Sequence, residues 1–147
     1  MEDIATYVEG LAAAAKAASR PLGFASDEQR AGAVRAMAAA LREVEPTILE
    51  QNALDMDAAA QAGTSAGLLD RLKLTHERIE GMAAGLEKLA ELPDPVGRVL
   101  EHRTIDCGLD LQKVSVPLGL VAMVYEARPN VTADAAGICI RTGNACI

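Results

Sequence analysis

The sequence predicts an α/β fold in which a long helical segment precedes a β-hairpin and the first βαβ unit of a doubly wound sheet. Three observations lead to this prediction. Alanine-rich stretches of helical periodicity fill residues 1–95, and two β-prone runs joined by a short turn follow at 96–117. Residues 118–147 then show an apolar run of strand length, a polar turn, a helical stretch and the beginning of another apolar run. We expect the chain to divide into these three ranges.

Several residues in the helical segment have the positions of helix ends. Ser26 and Gln29 have the spacing of a capping box, so a helix should begin there and run to about Val44. Pro46 suits the first turn of the next helix, and Gly63 suits its C-terminal end. These signals predict separate helices joined by short connections.

The first and last helices of this segment are less sharply defined. The first is predicted over EDIATYVEGLAAAAKAAS, and the RPLG sequence that follows is expected to end it. Thr75 can cap the last helix with its hydroxyl group. Gly81 and Gly85 lie four residues apart in that helix, which suggests that another backbone packs closely against them.

The pattern changes to β after the PDP sequence at 93–95. VGRVLEHRTI and LDLQKVSV are β-prone runs on either side of DCG, which is a plausible hairpin turn. LGLVAMVY is a continuous apolar run and predicts a strand buried on both faces of a parallel sheet.

The last part of the chain predicts a single βαβ unit. A helix is expected from Thr132 to Arg141, and Gly143 should supply the left-handed turn before the next strand. One such unit has open faces, so we interpret the chain as the N-terminal part of a longer protein.

Composition limits the classes of function. The net charge is −7 with no basic cluster, which argues against nucleic-acid binding. The longest apolar stretch is about half of the roughly 20 residues that a membrane helix needs, and the N-terminus is acidic where a signal peptide would be positive. A soluble, cytoplasmic protein is expected.

The cysteine and histidine residues do not predict a metal site or a disulfide framework. Cys107, Cys139 and Cys146 lack CxxC spacing and are expected to be reduced, unreactive thiols. His76 and His102 lack metal-ligand spacing and are expected at the surface.

The turn YEARPN, residues 125–130, is the predicted functional site, because open α/β sheets bind ligands beyond the carboxyl ends of their strands. Asn130 offers two N–H donors for an oxyanion, but it could instead cap the next helix, and local sequence favours the cap. Arg128 could bind a carboxylate or phosphate, be solvated or pair with Glu126. Glu126 could orient Arg128 or bind an amine, with a purely structural role favoured. Tyr125 is expected in the core, and no glycine-rich phosphate motif is present.

VPLGLVAMVYEARPNVTADAAGICIRTGNACI, and above all YEARPNVT within it, resembles the γ-glutamyl phosphate reductase (glutamate-5-semialdehyde dehydrogenase) family of the aldehyde dehydrogenase superfamily. GLLDRLKLTHERIEGMAAGLEKLAELPDPVG is similar to the same family, in which LDRL, LT and DPVG recur. The resemblance covers essentially the whole chain and about the first third of the family's usual length. It implies a Rossmann-like fold, with residues 118–147 beginning the dinucleotide-binding domain.

The resemblance also implies an activity and a set of site residues. The activity is NADPH-dependent reduction of γ-glutamyl phosphate to glutamate-5-semialdehyde in proline biosynthesis, with a nucleophilic cysteine outside this chain. Asn130 matches the superfamily's oxyanion asparagine by position, which reverses the preference for a cap. Arg128 and Glu126 match the family motif and are expected to bind substrate, whereas no cofactor-binding residue is assigned.

Two further expectations follow from the resemblance. The hairpin at 96–117 resembles part of the superfamily's oligomerisation arm and implies a homo-oligomer. The isolated chain is expected to be inactive. The alternatives are the reductase half of a bifunctional proline-pathway synthetase, which has the same motif, a more distant acylating aldehyde dehydrogenase, or a non-catalytic helical assembly module.

Overall fold

The structure is a computed structural model that describes residues 3–126 and 128–147. The predicted order of helices, hairpin and βαβ unit is confirmed. The helices and strands within these ranges are α1 (Ile4–Gly23), α2 (Asp27–Glu43), α3 (Glu45–Gln61), α4 (Ala66–Leu72), α5 (His76–Glu91), β1 (Val99–Thr104), β2 (Asp110–Val114), β3 (Leu120–Val121), α6 (Pro129–Arg141) and β4 (Ala145–Cys146).

The helix ends follow their local sequence signals. The Ser26 hydroxyl accepts a hydrogen bond from the Gln29 N–H at 3.2 Å, and the Gln29 side chain accepts one from the Ser26 N–H at 2.8 Å, which completes the predicted capping box. The Thr75 hydroxyl accepts from the backbone N–H three residues later and caps α5. Pro46 lies in the first turn of α3, and Gly63 follows that helix with a φ of 76°.

Helix α1 is longer than predicted, because it continues through RPLG to Gly23. Pro21 lies in its last turn, where the missing N–H removes one intrahelical hydrogen bond and no further turns have to follow. None of the helices that the structure describes is long and apolar enough to cross a membrane.

The hydrophobic core lies where α5 and α6 pack against α2. Val34 and Ala38 of α2 are fully buried with Ala83 and Leu86 of α5, and Ile140 of α6 packs against this cluster. Full burial of a valine or leucine side chain contributes about 1.5–3 kcal/mol. These three helices therefore form the stable centre from which the first turn of α6 projects.

Helices α6 and α5 pack tightly at Gly137 of α6. A Cβ atom at Gly137 would lie 2.4 Å from Cδ2 of Leu86, so only glycine fits without displacing that side chain. Cβ atoms at Gly81 and Gly85 would meet nothing within 4 Å among the described residues, so the predicted packing there is wrong. The physical reason is that both glycines are exposed, on the side of α5 away from its buried face.

Two buried arginines hold the PDP sequence against the core. Arg30 is 3% exposed and donates two hydrogen bonds of 2.7 Å to Asp94, and Arg141 is 2% exposed and contacts Asp27 and the Leu92 carbonyl. Burial opposes ionisation of Asp94, but hydrogen bonds from a backbone N–H and from Arg30 outweigh it and lower the pKa of this carboxyl. The end of α5 is thereby fixed to α2 and α6.

The hairpin is formed as predicted. Strands β1 and β2 pair antiparallel, with Glu101 opposite Lys113 and a 3.2 Å ion pair between their side chains. Every residue of both strands is exposed. The hairpin therefore extends from the rest of the chain without a buried face.

The βαβ unit is present, but its first strand differs from the prediction. Strands β3 and β4 are parallel, with α6 between them in sequence. The prediction that LGLVAMVY is a strand buried on both faces is wrong: β3 is only half-buried, Leu118 is 84% exposed and Val124 is 99% exposed. The reason is that pairing extends only to Met123, whose N–H donates to the Ile147 carbonyl at 2.8 Å, so the rest of the run has no adjacent strand within the described chain.

A buried asparagine closes the connection between α6 and β4. Gly143 has the predicted left-handed conformation, with a φ of 74°. The Asn144 side chain accepts a hydrogen bond from the Gly119 N–H at 2.7 Å and donates one to the Thr142 hydroxyl at 2.8 Å. These bonds fix the beginning of β3 to the end of α6, and so fix where the turn after β3 lies.

Candidate functional site

The turn after β3 enters helix α6 earlier than the sequence predicted. The helix begins at Pro129 and not at Thr132, with Arg128 at the N-cap position. Proline has the backbone angle of a first helical residue and loses no intrahelical bond there, which explains the earlier start. Ala127 of the predicted motif lies outside the described residues.

Asn130 does not cap α6, because it lies inside the first turn, after the N-cap position that Arg128 occupies. Its Nδ2 group donates a 3.2 Å hydrogen bond to Asp134, one turn further along the helix. The side chain is exposed. The capping interpretation is therefore wrong, and the carboxamide stands on the helix surface facing a cleft.

The other residues of the motif are also exposed. Among the residues that the structure describes, no ion pair joins Arg128 to Glu126. Tyr125 is 46% exposed, so its predicted place in the core is wrong. Its hydroxyl group lies 2.6 Å from that of Thr132, which links the turn to the first turn of α6 and requires the tyrosine to stay near the surface.

A cleft of about 490 Å³ lies between this turn and a wall formed by the end of α4, the start of α5 and the segment that joins them. Arg128, Pro129 and Asn130 line one side. The charged residues of the cleft are four bases, Arg71, Lys73, Arg78 and Arg128, and two acids, Asp70 and Asp134. A net positive cleft in a chain of charge −7 suits an anionic ligand.

The far wall of the cleft is fixed by hydrogen bonds to its backbone. Asn52 is buried in α3; it donates to the Leu72 carbonyl at 2.9 Å and accepts from the Leu74 N–H at 2.7 Å. Arg78 of α5 donates to the carbonyl groups of Asp70 and Lys73 and, at 3.0 Å, to the Asp70 carboxylate. The backbone of this wall is thus held by hydrogen bonds from α3 and from α5.

The residues of this wall are not predicted by any local sequence pattern. Arg71, Lys73 and Arg78 lie within or beside the LDRLKLTHER stretch, which carries part of the predicted resemblance. That resemblance was the only signal that could have pointed to them, because their proximity to Arg128 depends on how α5 and α6 pack.

The three cysteines lie away from this cleft. Burial, and then the neighbouring Cys146, raise the pKa of Cys139, which keeps it a neutral thiol near pH 7. Cys107 is exposed in the hairpin turn. Among the described residues, no group of three or more His, Cys, Asp or Glu side chains could hold a metal ion.

Fold and site together define an α/β protein with a cationic cleft at the carboxyl end of its first parallel strand. No family model matches the chain. It is 49% identical to the γ-glutamyl phosphate reductase of Caulobacter vibrioides over 94% of its length, and 46% identical to that of Dehalococcoides mccartyi over its whole length. It covers 33% and 35% of these two relatives.

Solved structures agree with these relatives. The crystal structure of the γ-glutamyl phosphate reductase from Thermotoga maritima matches 90% of the chain with a TM-score of 0.86 and 33% identity, and the chain covers 32% of it. The enzyme of the same name from Saccharomyces cerevisiae gives a TM-score of 0.86 and 35% identity, with 34% of it covered. The predicted resemblance is confirmed: the chain is similar to the N-terminal portion of γ-glutamyl phosphate reductases and spans about a third of their length.

Proposed function

We propose that the chain is the N-terminal portion of an NADP-dependent γ-glutamyl phosphate reductase, which forms glutamate-5-semialdehyde for proline biosynthesis in the cytoplasm. The observation that carries this proposal is the cationic cleft, which brings Asn130 and Arg128 together with three further basic residues. The substrate named by the relatives carries a phosphate and a carboxylate, so its charge complements the cleft.

In such a reductase a cysteine thiolate displaces phosphate from the acyl carbon, and a nicotinamide cofactor supplies the hydride that reduces the resulting thioester. Asn130 would donate an N–H to the oxyanion that forms on the acyl oxygen. Its carboxamide has two N–H groups, and Asp134 accepts from this nitrogen in the structure, so the same hydrogen bond can orient the group. Arg128 and Glu126 would bind the charged groups of the substrate.

The first turn of α6 is a poor place for the phosphates of a dinucleotide. Pro129 stands at the first helical position and has no N–H to donate, and the turn lacks the glycine-rich motif that lets a backbone approach pyrophosphate. We therefore assign no cofactor contact to this turn. Its residues would bind the substrate and the oxyanion, within a doubly wound sheet that binds the cofactor elsewhere.

The proposal extends to the arrangement of the chain. Residues 1–95 would form the helical segment, 96–117 the hairpin of an oligomerisation arm and 118–147 the beginning of the dinucleotide-binding domain. The hairpin has exposed residues on both faces, which supports a role in contact with a second copy. The protein would then be a homo-oligomer.

The test is the activity of the full-length protein that carries this segment. With glutamate-5-semialdehyde and phosphate it should reduce NADP, and the 147-residue chain alone should not. Replacing Asn130 by Ala should lower kcat about 10²–10³-fold, the loss expected for one oxyanion donor. Asn130→Asp keeps the size of the side chain, removes the donor and should be at least as slow.

Two results would contradict the proposal. One is a full-length protein that does not bind NADPH, measured by the change in NADPH fluorescence, and does not reduce NADP. This result would favour a non-catalytic assembly module. Near-normal turnover in both Asn130 variants would remove the oxyanion role even if the reductase activity stood.

A further inference from the structure

The geometry points to Arg71 and Lys73 as the residues that bind the α-carboxylate of the substrate, across the cleft from Asn130. This inference rests on the proposed function and deepens it, because it assigns the end of the substrate that does not react. Both side chains are exposed and line the same cleft as Arg128 and Asn130.

The chemistry of the substrate separates its two anionic groups. The phosphate is attached to the reacting acyl carbon, so it must lie beside Asn130 and near Arg128, two residues away. The α-carboxylate is four carbon–carbon bonds from that carbon, roughly 5 Å when the chain is extended. It needs a cation on a different element, and the wall that carries Arg71 and Lys73 supplies it.

The backbone of this wall is held in place by hydrogen bonds within the chain itself. Asn52 binds the backbone on both sides of Lys73, at Leu72 and Leu74. The Arg78 guanidinium donates a hydrogen bond to the Lys73 carbonyl at 2.6 Å. Because this backbone is already ordered, ligand binding does not lose free energy by ordering a loop. Such preorganisation is the usual requirement of a specific site.

Arg71 and Lys73 do not form ion pairs that stabilise the described part of the fold. Within the described ranges, no ion pair includes either residue. Arg78 is engaged with Asp70, so this acid is paired with a different base. Two cations thus remain for a ligand, whereas Arg78 serves as the clamp.

The test compares Lys73→Ala, Arg71→Ala and the matched control Lys88→Ala in the full-length enzyme. Lys88 is an exposed base on α5 that does not line the cleft. The KM for glutamate-5-semialdehyde should rise roughly 10–100-fold in each cleft variant, the range for losing a hydrogen bond to a charged group. The KM for phosphate and the kcat should change less than about threefold, and Lys88→Ala should behave as the parent enzyme. Melting temperatures check that all variants fold.

A second substrate makes the assignment specific. With 4-aminobutanal, which has the same reacting aldehyde but no carboxylate, the parent enzyme and the cleft variants should have equal KM values. A rise in the KM for phosphate, or an unchanged KM for glutamate-5-semialdehyde, would overturn the inference. Neither result would contradict the proposed function, because the proposed function is tested by the activity of the parent enzyme and by the Asn130 variants.

Discussion

The helical core and the strand-forming part of this chain are both rich in apolar residues, but their apolar side chains are buried to very different extents. Val34 and Ala83, in the helices of the core, have no exposed surface, whereas Val124 beyond β3 is 99% exposed and β1 and β2 are exposed throughout. A helix satisfies its own backbone and needs one covered face, so α2, α5 and α6 complete a core among themselves. A strand needs neighbours on its edges and faces. An apolar sequence pattern thus indicates that a segment needs to be buried. Whether the segment is buried depends on the helices and strands that pack beside it.

The largest expected effect tests this comparison directly. Leu86→Ala should lower the free energy of unfolding by about 2–5 kcal/mol, because it leaves a cavity between α2, α5 and α6. Leu111→Ala, the same change on the exposed hairpin, should cost less than about 0.5 kcal/mol in the 147-residue chain. Urea unfolding followed by circular dichroism measures both. Equal losses would show that the hairpin is packed after all.

The comparison extends from apolar groups to charges. Asp94→Asn leaves the buried Arg30 without its carboxylate and should cost about 2 kcal/mol at pH 7, less than a fully buried pair because Asp94 is 29% exposed. The folded state lowers the pKa of Asp94, so its carboxylate stabilises the fold above the unfolded value of about 4, and this contribution is lost as the pH falls through the folded pKa. The difference between parent and variant should therefore shrink towards pH 3 in urea titrations. A difference independent of pH would argue against the ion pair.

The exposed ion pair between His76 and Glu45 should give the smallest effect on stability. Its contribution should be lost as the pH rises, whereas that of Asp94 is lost as the pH falls. The hydrogen bond with Glu45, and then its charge, raise the pKa of His76. The charged imidazole therefore stabilises the fold fully below about pH 6.5, and this contribution disappears as the pH rises through the folded pKa. The melting temperature of His76→Gln should fall slightly below that of the parent near pH 5.5 and match it near pH 9. A deficit that grows with pH would contradict this assignment.

The parts of the fold that the sequence predicted are those decided by a few adjacent residues. The caps at Ser26 and Thr75 were predicted because side chain and backbone partner lie three residues apart. The sequence predicts the beginning of α6 three residues too late, because Pro129 fits a polar turn as well as the first helical position. A helix that began at Thr132 would leave Asn130 just before its first turn, which is why the local sequence alone favours a cap.

The candidate site was predicted only on one side. YEARPN was recognisable because its residues are contiguous, whereas the wall that carries Lys73 lies more than fifty residues away in sequence. Its position depends on Asn52 and Arg78, which join three helices. Local patterns contain no information about such contacts.

The position of the candidate site depends on Gly137, although Gly137 does not line the cleft. It lies seven residues from Asn130 on the same helix, about 10 Å along the axis, and its contact with Leu86 sets how deeply α6 settles on α5. Under the proposed function, a genetic screen for loss of reductase activity should therefore recover substitutions at Gly137 in a protein that still folds and still has every cleft residue. Such variants would lose activity as active-site mutants do, although the substituted residue lies in a helix–helix contact outside the cleft.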